Sequence, residues 1–382
     1  MMKKREISIA APCIGKKEIA ALKKPLLSGW LTQGACVADF EKEFAKMHGI
    51  GYAVATTSCT TALHLALVAL GVGAQDEVIV PSFTWIATVN AVEYTGARPV
   101  FCDIEPDTYN ISVKDMEALI TPRTKAVIPV HLFGLCADMD KIIAICKKHK
   151  LYIVEDSACA IGASICGKKA GSFGDIGCFS FHPRKIVTTG EGGMCATSSR
   201  ALAERLVSLR NHGASISEEK RSLSDKPYIM PDFKILGYNY RMTDLQGAIG
   251  LAQLSRLGTF IRQRQKWAAW YRKALIDLKW LILPHVPEGF QHSYQSFVCY
   301  VDESKSPMLR DEIMERLYLK GINTRAGTMA VHLQDYYAKK YNIDADSFFV
   351  SKDCHLHSLA IPLHNRMSAG DYKYVVSALK GI

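Results

Sequence analysis

The residue whose setting speaks most clearly of chemistry is Lys185. It lies in Gly177-Cys-Phe-Ser-Phe-His-Pro-Arg-Lys185-Ile-Val-Thr-Thr-Gly-Glu-Gly-Gly193, after an apolar run and before a turn rich in threonine and glycine. A lysine at the mouth of a strand, beside a tight glycine turn, is presented to a cleft. There its amine can lose enough solvent to fall below the ordinary ~10.4 and attack an aldehyde as the neutral base.

A second stretch, Leu151-Tyr-Ile-Val-Glu-Asp156-Ser-Ala-Cys-Ala-Ile-Gly162, ends an apolar run in two adjacent carboxylates. Carboxylates at a buried strand end are costly without partners. Asp156 either caps the segment that follows or pairs with a protonated ring nitrogen, which would keep a pyridinium ring an electron sink. The second option gains weight from a reactive lysine downstream. A third stretch, Thr56-Thr-Ser-Cys-Thr-Thr61, joins a strand to a helical pattern and holds five hydroxyl residues in six positions. An N-cap needs one hydroxyl; this many, with free N–H groups at a helix start, suits a phosphate. The Gly190-Glu-Gly-Gly193 cluster lacks dinucleotide-fingerprint spacing and lies far from any first βαβ unit.

Positioning these groups calls for an α/β framework. Short apolar runs predict strands over 52–55, 77–80, 99–102, 126–130, 152–154, 177–181 and 193–196, with helices over 60–70, 84–94 and 139–148 between them. That alternation implies a largely parallel sheet covered on both faces. Val37, Phe40, Phe44 and Met47 fall at helical spacing before it. Longer helical patterns follow over 202–210, 243–257 and 260–278. A strand over 296–301 and helices over 308–320 and 371–379 suggest a smaller α+β domain. We place the division at residues 1–250 and 251–382.

Composition narrows the class. The chain has 382 residues, 48% hydrophobic and 22% charged, which is globular. Cys59, Cys102, Cys146, Cys178, Cys195 and Cys299, six of its 12 cysteines, sit among apolar or small residues and read as small hydrophobes. No CxxC pair suggests zinc or a dithiol, and a reducing cytoplasm fits best. The start, Met1-Met2-Lys3-Lys4-Arg5 then an apolar 7–14, is a poor export signal: Pro12 interrupts it and Lys16-Lys17-Glu18 follows. The net charge of +10 comes from scattered residues, so we expect no nucleic-acid partner, and with no apolar run long enough to span a bilayer we expect no membrane association. A basic surface also attracts phosphate-bearing substrates.

Several motifs in sequence order resemble the DegT/DnrJ/EryC1/StrS family of sugar aminotransferases. They are Leu27-Ser-Gly-Trp-Leu-Thr-Gln-Gly34, Pro81-Ser-Phe-Thr-Trp85, Pro129-Val-His-Leu-Phe-Gly134, the Lys185 stretch, Gly237-Tyr-Asn-Tyr-Arg-Met-Thr-Asp-Leu-Gln246 and Ile361-Pro-Leu-His364. The resemblance implies the aspartate-aminotransferase-like fold type I, a mostly parallel mixed sheet between helices plus a smaller α+β domain. It implies pyridoxal 5′-phosphate as cofactor, with pyridoxamine 5′-phosphate carrying the amine between half-reactions. On this pattern Lys185 bears the cofactor as a Schiff base and moves the proton. Asp156 holds the ring nitrogen and Trp85 stacks on the ring. Ser58, Cys59, Thr60 and Ser180 take the phosphate, joined by Asn239 from a neighbouring subunit of a homodimer. Cys159 stands where the family commonly has Gln, His or Glu against the ring hydroxyl, and Cys59 where glycine is frequent. Trp30, His182 and Arg184 are the expected substrate contacts, Arg184 toward an anionic part. The stretch Gly327-Thr-Met-Ala-Val-His332 departs from the family's common Tyr-Pro-containing segment.

The activity so implied moves an amino group from L-glutamate to a keto carbon of a nucleotide-linked, 4-keto-6-deoxy hexose. Two alternatives share the scaffold. Sugar dehydratases of the family typically replace the lysine by histidine, which Lys185 opposes. A non-catalytic regulatory protein has no use for Lys185, Asp156, Trp85 and Asn239 together.

Overall fold

The computed structural model describes residues 6–382; the basic run Met1–Arg5 lies outside them. The central sheet has seven strands: β1 (Tyr52–Thr56), β2 (Glu77–Pro81), β4 (Arg98–Cys102), β5 (Thr124–Val127), β6 (Tyr152–Asp156), β9 (Ile176–Ser180) and β10 (Gly193–Thr197), in the order β1-β10-β9-β6-β5-β2-β4. β10 alone runs against the rest, antiparallel to both β1 and β9. The carboxyl ends of β1, β6 and β9 therefore share one edge, where open α/β sheets bind their ligands.

Side chains alternate across this sheet as the pleat demands. Val54, Val78, Val80, Ala126, Val154, Ile176, Cys178 and Cys195 face one helix layer, which includes Cys59–Ala69, Ile86–Glu93 and Arg200–Arg210. Ala55, Phe179, Met194 and Ala196 pack on the other side with Phe40 and Phe44 of the helix Ala35–His48. Ile79, Cys102, Val127 and Ile153 do so with Met139, Ile142 and Cys146 of Met139–His149. A near-continuous apolar strand is buried on both faces, which is why these runs lack strict alternation with polar residues.

Two tethers tie the Ala35–His48 helix down. Asp244, in the Gly237–Gln246 motif, accepts the N–H groups of Gly34, Cys36 and Val37 at 2.8, 3.1 and 3.0 Å, satisfying donors that a helix start leaves open. Arg210, 2% exposed, donates to Glu41 and to the Ala55 carbonyl, linking that helix to β1 and to the end of Arg200–Arg210.

A second core surrounds β11 (Leu281–Ile282), β13 (Phe297–Val301) and β15 (Ser358–Ile361), an antiparallel sheet packed against the helices Leu257–Leu275 and Ala369–Lys380. Ile7 joins it, bridged to Ile322. Small pairings complete the frame: β7 (Ser164–Ile165) with β8 (Lys168–Lys169) and β12 (Phe290–Gln291), and β3 (Phe83–Thr84) with β14 (Met329–Ala330).

Two boundaries differ from expectation. The strand expected to 130 ends at Val127, because Pro129 has no N–H for the ladder; only Val130 bridges onward, to Asp156. The helix expected from 84 starts at Ile86, because Phe83 and Thr84 pair with Ala330 and Met329. Among the described residues no helix is long and apolar enough to cross a membrane.

Candidate active site

The two carboxylates that end β6 part company. Glu155, fully buried, turns inward and accepts the N–H groups of Gly171, Phe173 and Gly174 at 2.6–2.7 Å and lies 2.8 Å from His131 Nε2. Asp156, 5% exposed, keeps to the sheet edge: Oδ1 accepts the Ala158 N–H at 3.1 Å and Oδ2 the Thr88 hydroxyl at 2.8 Å. It thus does cap the following segment, and it still presents a carboxylate acceptor there. The neighbouring Ser157 hydroxyl is buried with no partner.

Thr88 also fixes Trp85. The two are three residues apart at the start of the helix Ile86–Glu93, so they lie on one side of it. Bonding Thr88 to Asp156 brings Trp85 to the same edge, where the indole is 57% exposed. A large aromatic left open beside a buried carboxylate is suited to stacking on a flat heterocycle.

On the other side of β9 the helix Cys59–Ala69 begins. Ser58 is its N-cap, accepting the Thr61 N–H at 3.2 Å, while Thr61 in turn bonds Thr57 and the Ser58 backbone. The N–H groups of Cys59 and Thr60 have no acceptor within the helix and face the helix's positive end. Burial, helped by Asp156, holds the Cys59 thiol well above the ordinary range, against the pull of Lys185. Cys59 thus lies within electrostatic reach of Asp156, Lys185 and Cys159 together. Gly193 makes this approach possible: a Cβ there would sit 2.2 Å from the Ser58 carbonyl oxygen.

Lys185 stands in the loop from β9 to β10. Its N–H donates to the His182 carbonyl at 2.9 Å, and its Nζ meets the Cys159 sulfur at 3.2 Å. Ser180 ends β9, accepting the His182 N–H at 3.4 Å. His182 Nδ1 accepts from Arg184 N at 3.2 Å, and burial lowers its pKa, so the ring is uncharged at neutral pH. Arg184 is exposed.

The structure therefore gathers Lys185, Cys159, Asp156, Trp85, Ser58, Cys59 and Thr60 at one sheet edge, with Ser180 at the end of β9 and His182 in the loop that follows. Trp30 and Asn239 stand apart. Trp30 closes the turn before Ala35–His48, its Nε1 donating to Gln33 O at 3.1 Å. Asn239 is exposed and bridges Asn211.

Comparison with known proteins agrees with this geometry. The family model described as the DegT/DnrJ/EryC1/StrS aminotransferase family matches residues 12–380. The chain belongs to this family. It is 40% identical to the GDP-perosamine synthase of Caulobacter vibrioides, covering 98% of this chain and 97% of that one. It is 39% identical to the spore coat polysaccharide biosynthesis protein SpsC of Bacillus subtilis, over 100% and 99%. The PLP form of the sugar aminotransferase Spr1654 of Streptococcus pneumoniae superposes with a TM-score of 0.90 at 27% identity, over 99% and 98% of the two chains. This family member is a fold type I, pyridoxal-phosphate-dependent aminotransferase. Its residues fit that group: a helix N-terminus whose first N–H groups have no acceptor within the helix, a glycine that lets β10 close on the Ser58 backbone beside it, a buried carboxylate, and an open indole.

Four further residues emerge from the structure alone: Thr88, Gln295, Ser296 and Arg325. Gln295 Nε2 donates to the Arg184 carbonyl at 3.1 Å, Ser296 to Gln295 at 3.0 Å, and Arg325 to Ser296 at 3.3 Å. Only Thr88 carried a signal in the sequence, its spacing from Trp85. The divergent stretch 327–332 proves to lie against Phe83 and Thr84, beside Trp85.

Proposed function

We propose that this aminotransferase moves the amino group of L-glutamate to a keto carbon of a nucleotide-linked 4-keto-6-deoxy hexose, with Lys185 as its reacting amine. The observation that carries the reading is the contact of Lys185 Nζ with Cys159, beside the adjacent strands β6 and β9, with Asp156 ending β6 and both Asp156 and Lys185 acting on the buried Cys59 at the helix start. Pyridoxal phosphate, when bound, supplies the electron sink and carries the amine between donor and acceptor. Asp156, a buried carboxylate, would hold a protonated ring nitrogen in place; Trp85 would cover the ring face and exclude water. Ser58, Cys59, Thr60 and Ser180 would bind the phosphate through hydroxyls and the helix's free N–H groups. Lys185 would take a proton from the donor's α-carbon and return it at the site of transfer, acting as base and then acid. Cys159 would lie against the ring hydroxyl, a thiol in place of the commoner hydrogen-bonding residue.

The nucleotide-sugar acceptor is supported by the likeness to a GDP-perosamine synthase. Arg184, exposed beside Lys185, would meet an anionic part of that substrate, with His182 and Trp30 as further contacts. A homodimer in which Asn239 reaches the partner's phosphate site is supported by the exposed apolar residues on its segment: Leu223, Tyr228, Met230, Phe233 and Leu236 are 59–87% exposed. Twelve unbridged cysteines suit a reducing cytoplasm.

The test is the visible absorbance of the purified protein. We expect L-glutamate to bleach the lysine-bound cofactor band and a nucleotide-linked keto sugar to restore it, with neither response in Lys185→Ala. A wild-type band indifferent to glutamate discards the donor; an unchanged response in Lys185→Ala discards the lysine.

A further inference from the structure

Cys159 differs from the other cysteines in what touches its sulfur. Lys185 Nζ donates to Cys159 Sγ at 3.2 Å, and among the described residues that Nζ has no carboxylate partner and no other hydrogen bond. The fold builds this contact. Cys159 is in the turn after β6, held by the Ala158 N–H on Asp156 at 3.1 Å and the Ala160 N–H on the Ser157 carbonyl at 2.9 Å. Lys185 is in the loop after β9, where its own N–H reaches the His182 carbonyl. β6 and β9 are parallel neighbours, so the two loops leave the sheet side by side.

Access separates Cys159 further. Nine of the 12 cysteines are buried, and burial raises the thiols of Cys59, Cys102 and Cys178, which suppresses the reactive thiolate. Cys13 meets the Arg256 guanidinium, which is no nucleophile. Cys166 is exposed in the turn between β7 and β8, and among the described residues its sulfur has no hydrogen-bond partner. Cys159 and Lys185 are both half-buried, open to a small solute.

We infer that Cys159 and Lys185 form an oxidative modification site, at which hydrogen peroxide joins Sγ to Nζ in a reversible sulfur–nitrogen bond. In the first step Sγ attacks a peroxide oxygen. An S–O bond forms, the O–O bond breaks, and the departing hydroxide takes the thiol proton as water. Sulfur is oxidised by two electrons, peroxide is reduced by two, and Cys159 is left as a sulfenic acid. In the second step Nζ attacks Sγ. An N–S bond forms, the S–O bond breaks, and hydroxide leaves with an amine proton as water. A sulfenic acid closes on a neighbouring nitrogen in this way, and two thiols, leaving as a disulfide, restore both side chains. The bridge rests on the contact; its consequence, an enzyme switched off until reduced, rests on Lys185 being the reacting amine.

The experiment treats the full-length chain with hydrogen peroxide, both freed of cofactor and with pyridoxal phosphate bound, and maps tryptic peptides by mass spectrometry without reductant. In the cofactor-free chain we expect two peptides joined at Cys159 and Lys185, about 2 Da lighter than their sum through the loss of two hydrogens, and parted by dithiothreitol. Cys166 reports that peroxide has arrived: it should carry oxygen and join no lysine. In Lys185→Ala, dimedone should trap Cys159 as the sulfenic acid; in Cys159→Ser, Lys185 should join nothing. A disulfide between Cys159 and Cys59 overturns the bridge, as does a Cys159 sulfinic acid with Lys185 free, or an unmodified Cys159 beside an oxidised Cys166. With cofactor bound the bridge should be lost, because the amine is engaged. Equal bridging in both states keeps the site and discards Lys185 as the amine that bears the cofactor, so the two failures are read apart.

Discussion

Glu155 and Asp156 are neighbours in sequence with the same chemistry, and the pleat sends them to different tasks. Glu155 is spent on three backbone N–H groups and His131, so Glu155→Gln should destabilise the fold by about 2–4 kcal/mol, measured by urea unfolding of the apoprotein. Asp156 gives up only a threonine hydroxyl and one N–H, bonds that an amide oxygen partly replaces. Asp156→Asn should cost about 1 kcal/mol in stability. Its turnover should fall roughly 100-fold or more, equivalent to about 2.7 kcal/mol of barrier. The reverse pattern, a stable Glu155→Gln and an unfolded Asp156→Asn, would exchange the two assignments. The sequence could mark this pair as expensive, but which carboxylate faced the cleft followed only from the strand's register. Arg325 was illegible for a related reason. Its contacts, from Ser296 Oγ to the Ala360 backbone, are with residues distant in sequence.

Among the elements, those that made themselves plain were the ones whose local pattern and tertiary role agree. Each strand of the central sheet was visible as an apolar run because both its faces are buried. The two-residue strands β3, β7, β8, β11, β12 and β14 were not, since so short a pairing leaves no periodicity and is dictated by the partner. The helix Ala35–His48 announced its buried face through Phe40 and Phe44, but not the role of its last residue. His48 stacks on Phe44 at 4.1 Å between centroids, is 4% exposed, and has an Nε2 with no partner. Burial pushes its pKa down to about 4. A histidine depressed in the folded state binds fewer protons there than when unfolded, so its stabilisation is complete above pH 6.5. It is lost as pH falls from about 6.5 to 4, by about 3 kcal/mol in all. His292 and His364, also depressed to about 3 and about 4, add to the acid slope. His48→Phe should therefore flatten the dependence of unfolding free energy on pH in that window, without abolishing it. An unchanged slope would mean that His48 protonates as readily in the folded chain.

At the scale of the whole molecule, one protomer supplies Lys185, Asp156, Trp85 and a helix N-terminus, while Asn239 is exposed on a segment with apolar side chains open to solvent. Tyr238 and Tyr240 stack on each other at 5.0 Å on either side of it and pack near His64 of the Cys59–Ala69 helix. The segment is thereby anchored behind the phosphate-binding helix while its apolar edge is left for another surface. If that surface is a second copy, a dimer has two active sites, each with Lys185 from one chain and Asn239 from the other. Lys185→Ala and Asn239→Ala homodimers should then both be impaired, the first fully. Mixed and allowed to exchange in equal amounts, they should regain roughly a quarter of wild-type activity. Half the dimers would be hybrids, and each hybrid keeps one site with both residues intact. A monomer in sedimentation removes the arrangement outright. Hybrids that form but recover nothing would show that Asn239 serves the site of its own chain.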